Sequence, residues 1–337
     1  MSVVETPGPF WLSILIPVYK VEAYLDQCLS SIIEQADAGV EIILCDDASP
    51  DGSGAIAQRY VDAHPQQVRM IRLAQNSGIS VGRNAMLELA QGEYIWFFDS
   101  DDWLNPGAIA AVAEVVRSHR PDLIGCDYRR KASRKSGFSG PTEQLLTDRD
   151  LFVGGICASR KMYAWLRISR RALWDDGLRF PVGRVFEDAA VTPWLALAAR
   201  SYFHIDKPLV EYRVRGDSIV AGVKNLRQPF DLASHLDLAE ALQGFPEALD
   251  REAEPLPQTR KGISHFIAME FAKTAERIFR TRTYGDKGAV RDLVTRFRER
   301  MEQSSPIPFA QMLEDYARRG RVIAWLRLRF ALALSDD

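Results

Sequence analysis

Hydrophobic and polar positions along the chain fall into two rhythms. Up to residue 126, five short apolar runs stand out: LSILIPV (12–18), VEIILC (40–45), VRMIRL (68–73), YIWFF (94–98) and DLIGC (122–126). Runs of this length with little alternation are the pattern of strands buried on both faces, as in a parallel sheet. Between the first two, Leu25, Cys28, Leu29, Ile32 and Ile33 recur at helical spacing. Further helices are predicted over 53–63, 78–90 and 106–118, the last with Asn105 as N-cap and Pro106 at the first helical position. Strand–helix alternation of this kind predicts an α/β layered domain. Residues 127–145 are polar, basic and rich in Ser and Gly, and read as a mobile loop or an excursion. A mixed block follows over 146–222. From about 226 the chain turns helical, with Ile263, Phe266, Ile267, Phe271, Thr274 and Ile278 tracing one face of a long helix.

Composition narrows the class. A length of 337 residues predicts two domains, or one large domain with an appendage. With 47% hydrophobic and 26% charged residues, the chain has the make-up of a globular protein with a real core. A net charge of -2 argues against nucleic acid as the main partner. The four cysteines form no C-x-x-C pair, and Cys28 and Cys45 sit in apolar contexts, so buried thiols in a reducing cytoplasm are expected. MSVVETPGPF lacks the basic start and apolar core of a signal peptide. No run reaches the ~20 apolar residues that span a bilayer. The expected location is therefore cytoplasmic, at most peripheral at the inner face of a membrane.

The candidate chemistry collects at strand ends. In an open parallel sheet, ligands bind beyond the carboxyl ends of the strands. Here the first predicted strand runs into PVYK (17–20), the second into DDASPD (46–51) and the fourth into DSDD (99–102). Two carboxylates ~4 Å apart repel by about 4 kcal/mol at a moderate effective dielectric, and a hard divalent cation removes that penalty. A D-x-D alone is short enough to be an Asp-rich turn; its strand context and the second acidic cluster favour a site. No G-x-G-x-x-G follows the first strand, which argues against a dinucleotide-binding domain, and no G-x-x-x-x-G-K-[ST] occurs, which excludes a standard P-loop. NSGISVGRNAML (76–87) enters a helix through glycines and places Arg83 where it could face a diphosphate. None of the five histidines is paired at metal-ligand spacing, and His204 reads as a strand histidine.

SILIPVYKVEAYLDQCLSSI, EIILCDDASPDGS, NSGISVGRNAML and GEYIWFFDSDDWL occur in that order, and together they closely resemble the family 2 inverting glycosyltransferases of GT-A fold. The resemblance continues through MYAWLRISRRALWDDGLRFPVGRVFEDAAVTPWLALAA and KPLVEYRVRGDSIV, covering about 12–220. It implies a Rossmann-like, nucleotide-sugar-binding, mostly parallel sheet flanked by helices, with a helical C-terminal region. The implied organisation is a catalytic domain over 1–222, with a nucleotide-binding half at 12–126 and an acceptor and catalytic-base half at 146–222, followed by 223–337. By resemblance, Pro17, Val18 and Tyr19 line the nucleobase pocket, and Asp46 with Asp47 hydrogen-bonds the base. Arg83 reaches the base or diphosphate, Asp99 sits by the ribose and the metal, and Asp101 ligates Mg²⁺ or Mn²⁺. Asp188, with Glu187 beside it, matches the catalytic base. Arg213, Arg215 and Ser218 match a segment that folds over the diphosphate, and Trp165 matches a Trp near the acceptor. Lys20 and Arg167 depart from the Asn and Lys usual at their positions.

The reaction so implied moves a sugar from a nucleotide-sugar, a UDP-sugar first, to a hydroxyl of a glycan or lipid-linked acceptor in polysaccharide assembly. Asp188 also opens a predicted helical run, where a carboxylate suits the helix N-terminus. Trp165 reads equally as a sugar-stacking residue and as core. Two rival readings are a nucleotidyltransferase and a non-catalytic binding protein on the same fold. The tail RRGRVIAWLRLRFALAL (318–334) alternates like a strand from Leu326, and its arginines do not segregate at helical spacing. Packing against the catalytic domain or a second subunit is its first reading; peripheral membrane contact is the second.

Overall fold

The computed structural model describes residues 10–184, 186–215, 239–281 and 287–335. The chain divides into two compact units. One comprises Met1–Asp148, Lys161–Gly183 and Val191–Arg213; the other comprises Arg149–Arg160, Arg184–Ala190 and Val214–Asp337.

The first unit is built on a single sheet. Its strands are β1 (Leu12–Val18), β2 (Val40–Asp46), β3 (Val68–Arg72), β4 (Tyr94–Phe97), β5 (Trp103–Leu104), β6 (Leu123–Arg130), β7 (Ser133–Lys135), β8 (Leu145–Leu146), β9 (Arg167–Arg170) and β10 (Tyr202–Tyr212). The main order is β3-β2-β1-β4-β9-β6-β10-β5. β1 pairs in parallel with β2 and β4, β2 with β3, and β6 with β10; β9 runs antiparallel between β4 and β6. All five predicted strands are present. β1 and β2 are buried almost throughout, as unbroken apolar runs require when both faces are covered. The register sets Val18 beside Asp46 and Leu15 beside Phe97, so the residues that follow β1, β2 and β4 emerge on one edge.

The helices α1 (Leu25–Ile33), α2 (Ser53–Ala63), α3 (Ile79–Leu89) and α4 (Ala108–His119) follow β1, β2, β3 and the β4–β5 segment. Leu25, Cys28, Leu29 and Ile32 form the buried face of α1. The start of α4 differs from expectation. Its N-cap is Gly107, in the left-handed region at φ 81°, and the Ala108 N–H donates to Gln35 Oε1 at 2.9 Å. Asn105 instead donates through its side chain to Pro208 O at 2.8 Å. The cap is supplied by another element, which local sequence cannot reveal. Residues 127–145 are also more ordered than a mobile loop. β6 extends to Arg130 and turns back as β7, and Arg134 Nε donates to the buried Asp127 at 2.7 Å.

In the second unit, α5 (Arg149–Ser159) packs against the Pro257–Thr281 helix. Glycines make this crossing close: a Cβ on Gly262 would stand 2.6 Å from Gly154 O. Asp150 caps the longer helix, accepting from Gln258 N–H at 2.9 Å and Thr259 N–H at 2.8 Å, which satisfies donors with no intrahelical partner. Ile263, Phe266, Ile267, Phe271, Thr274 and Ile278 are all buried, as their spacing predicted. The strand-like alternation of the tail was misleading. Val322–Ala333 is an α-helix that packs on the Pro257–Thr281 and Phe309–Arg318 helices. Among the described residues, no helix is long and apolar enough to cross a membrane.

Candidate active site

The carboxyl edge of the sheet is assembled from three strand ends. β1 delivers Pro17 half-buried, Val18 buried and Tyr19 exposed. Lys20 then takes φ 52°, a left-handed conformation that Asn tolerates better than Lys; its Nζ lies 5.2 Å from the Tyr19 ring centroid.

At the end of β2, Asp46 and Asp47 are both buried and have structural partners. Asp46 Oδ1 accepts from Ser49 N–H at 3.0 Å, and Oδ2 lies 3.4 Å from Arg72 Nε. Asp47 accepts from Ser77 N–H at 2.6 Å and from Gly78 N–H at 2.8 Å. Gly78 has φ 88°, which a side chain would resist. Asp47 therefore fixes the turn that starts α3 and so places Arg83. That arginine is almost fully buried, donates to Asp99 Oδ1 at 3.1 Å and lies 5.0 Å from the Phe180 ring centroid.

Past β4, the acidic loop folds on itself, with Asp102 N–H donating to Asp99 O at 3.1 Å. One carboxylate oxygen from each of Asp99, Asp101 and Asp102 lies within 4.8 Å of the others. Arg213, at the end of β10, holds this loop. Its backbone N–H donates to Asp102 Oδ1 at 2.7 Å and its Nε donates to Asp101 O at 2.8 Å. The guanidinium lies between Tyr24 and Trp103, 4.9 and 4.5 Å from their ring centroids. Burial, then the neighbouring Asp99 and Asp101 charges, push the Asp102 carboxyl well above the usual range, with Arg213 opposing. Asp102 Oδ2 is buried and has no hydrogen-bond partner. Leaving a buried carboxylate oxygen unpaired is costly. A trio of hard oxygen donors with one such oxygen fits a Mg²⁺- or Mn²⁺-sized cation.

Trp165 is buried in an aromatic stack. Tyr163 and Tyr212 lie parallel to it, with centroids at 5.2 and 5.8 Å, and its carbonyl accepts from Trp96 Nε1 at 2.9 Å. Arg167 is buried too, and its guanidinium donates to the carbonyls of Leu166, Gly137 and Lys161 at 2.9, 2.9 and 3.2 Å. A planar fork reaches three acceptors that a single ammonium could not serve together in this geometry. Glu187 and Asp188 form the first turn of α6 (Glu187–Ala198). They and Arg215 belong to the second unit, whereas the other described candidates belong to the first. Ser218 lies outside the described residues. Sequence reasoning assigned no role to Asp102 or Phe180. Asp102 was legible from its place in DSDDW; nothing local marks Phe180 as a platform for Arg83.

Known proteins give this geometry a context. The family model for glycosyl transferase family 2 matches residues 13–164. The chain is 37% identical over 210 residues to the putative teichuronic acid biosynthesis glycosyltransferase TuaG of Bacillus subtilis, covering 62% of this chain and 81% of TuaG. It is 31% identical over 184 residues to the uncharacterized glycosyltransferase EpsJ of the same organism; that match covers 50% of this chain and about half, 52%, of EpsJ. A crystal structure of S. aureus TarS 1-349 in complex with UDP-GlcNAc shares the fold, with a TM-score of 0.72 at 19% identity over 96% of this chain and 91% of that one. A GT-A sheet with an acidic loop at its carboxyl edge and a helical C-terminal region thus coincides with sequence kinship: the chain belongs to glycosyl transferase family 2.

Proposed function

We propose that the chain transfers a sugar, with inversion, from a nucleoside-diphosphate sugar to a hydroxyl of a glycan or lipid-linked acceptor, and that it uses a divalent cation. The observation that carries this reading is the convergence of Asp99, Asp101 and Asp102 within 4.8 Å, beside Arg83 and Arg213. Asp101, with Asp99 and Asp102, would hold Mg²⁺ or Mn²⁺, which when bound supplies positive charge for the leaving diphosphate. Arg83 holds Asp99 in place from a buried position, so the loop needs little reorganisation on binding. Tyr19 offers an exposed ring at the rim for a nucleobase, next to Pro17 and Val18, with Asp46 as the polar group nearby. The TarS complex with UDP-GlcNAc supports a uridine donor as the first to test. TuaG, named for teichuronic acid biosynthesis, supports a polysaccharide acceptor.

Asp188 is the proposed base. It takes the acceptor hydroxyl proton as that oxygen bonds to the anomeric carbon. The bond to the diphosphate breaks with its electron pair going to the phosphate oxygen. Attack opposite the leaving group inverts the centre, and a base of this kind contributes roughly 10²–10⁴-fold. In single-turnover assays with UDP-sugars, Asp188→Asn should abolish transfer while leaving donor affinity within about twofold. Loss of both together would reject the assignment, and full activity in a chelator would reject the cation.

A further inference from the structure

The last helix carries an apolar ridge that its own packing leaves open. On Val322–Ala333, the buried positions are Leu328, Ala331 and Leu332. The opposite face presents Val322, Ile323, Leu326 and Phe330 at 61%, 76%, 54% and 44% exposure. At about 100° per residue these four share one stripe, with Arg329 on one border and Arg327 on the other. The stripe is widened by Phe279 of the Pro257–Thr281 helix, itself 51% exposed, which meets Phe330 edge-on at 5.7 Å. A shallow hollow of about 450 Å³ lies between them, bordered by Arg280 and Arg327.

Among the described residues bordering the ridge, Arg280, Arg327 and Arg329 outnumber one carboxylate, Glu276, which pairs with both Arg327 and Arg280. Over residues 309–337 there are five arginines and four carboxylate side chains, Glu314, Asp315, Asp336 and Asp337. Asp315 is already engaged by Arg319 at 3.0 Å and faces Lys261 at 3.6 Å. Arg327 bonds Glu276 at 3.1 Å, and Arg329 lies over the Trp325 ring at 4.7 Å. An exposed apolar stripe edged by arginines, on a helix whose other face is buried in the protein, can seat in a membrane interface while its arginines reach the phosphates.

We infer that this ridge docks on an anionic lipid surface, with the stripe in the acyl boundary and the bordering arginines at the phosphate level. Charge complementarity selects this occupant over a second copy of the chain, because a two-fold pairing of the ridge would bring its own arginines together. Nothing in the inference depends on the donor, acceptor or base proposed above.

The test is co-sedimentation of the full chain with vesicles of phosphatidylcholine alone, and of phosphatidylcholine with a third replaced by phosphatidylglycerol. The wild type should bind the anionic vesicles only, and less as salt rises. Ile323→Glu with Leu326→Glu should lower the bound fraction about tenfold or more while the thermal melt is unchanged, since both positions are exposed. Arg329→Glu should lower it several-fold. Absence of wild-type binding, or equal binding by wild type and variants, would overturn the inference. So would a wild-type dimer in vesicle-free sedimentation that Ile323→Glu converts to monomer.

Discussion

Two acidic strand ends lie on the same edge of the sheet and are built to opposite plans. At the end of β2, Asp46 and Asp47 are buried, yet their carboxylates receive backbone N–H groups from Ser49, Ser77 and Gly78 and face Arg72. Beyond β4, Asp99, Asp101 and Asp102 converge on one another, and a buried oxygen of Asp102 has no donor. In the first cluster the fold supplies the donors, and Asp47 fastens the turn into α3. The second is gathered by Arg83 and Arg213, with one buried Asp102 oxygen left without a donor. Both are acidic; they differ in how the fold distributes hydrogen-bond donors between them.

That contrast can be broken at its widest point with Asp101→Ala. Transfer should fall roughly 10²–10³-fold, while removal of a carboxylate that helps push the Asp102 carboxyl up leaves the melting temperature equal or higher. Sugar release in single turnover and a thermal melt read the two quantities; a melt lowered as far as that of Asp47→Ala would place Asp101 among the fasteners. Asp47→Ala is the complementary change. It strands two partly buried N–H donors and should cost on the order of 2 kcal/mol in urea unfolding, with Asp47→Asn recovering part of the loss. A cost below about 1 kcal/mol would mean that the turn into α3 stands without it.

A third aspartate sharpens the comparison. Asp127 is as buried as Asp102 but fully served: it bonds Arg134 Nε at 2.7 Å, Gly137 N–H at 3.1 Å and His204 Nε2 at 2.8 Å. Tyr202 bonds His204 Nδ1 at 2.8 Å, so a neutral ring that accepts from the tyrosine donates its Nε2–H to Asp127. Burial raises the Asp127 carboxyl, but the bonds from His204, Arg134 and Gly137 outweigh it and hold it down to about 2. A folded value below the unfolded one gives stability that is present above the ordinary carboxylate range and lost as pH falls from about 4 towards 2. The loss is on the order of 2 kcal/mol. Urea midpoints measured across that window should fall less steeply for Asp127→Asn than for wild type; equal slopes would refute the linkage. The smallest effect is expected at Ala48, which takes φ 54° within the first acidic turn. Ala48→Gly should stabilise the fold by about 0.5–1 kcal/mol, read as a raised urea midpoint, because glycine enters that region without a Cβ clash.

Much of this architecture was legible in the chain. Strands buried on both faces leave unbroken apolar runs, and each of the five became a strand. The long helix at 257–281 announced its buried face through six spaced residues. β9 went unread because a four-residue strand holding Arg167 and Arg170 has neither length nor apolar continuity. The N-terminal end of α4 was misjudged because the acceptor for its first N–H is Gln35 Oε1, some seventy residues earlier. The tail looked like a strand because a helix that is apolar on both its buried and its exposed side shows no single-faced period.

The candidate site divides along the same line. Order and spacing of PVYK, DDASPD and DSDD sufficed to put carboxylates at one sheet edge, since strand direction and the parallel register follow from local pattern and connection length. Which donors each of those carboxylates would receive was decided only in three dimensions. The backbone donors of Ser77 and Gly78, the Phe180 platform under Arg83 and the grip of Arg213 on the acidic loop all come from distant segments. Sequence determined the elements and the chemistry they carry, because both are written in short-range periodicity. Tertiary structure allotted the hydrogen bonds, because a buried charge is satisfied or left wanting by whatever the fold brings within about three ångströms of it.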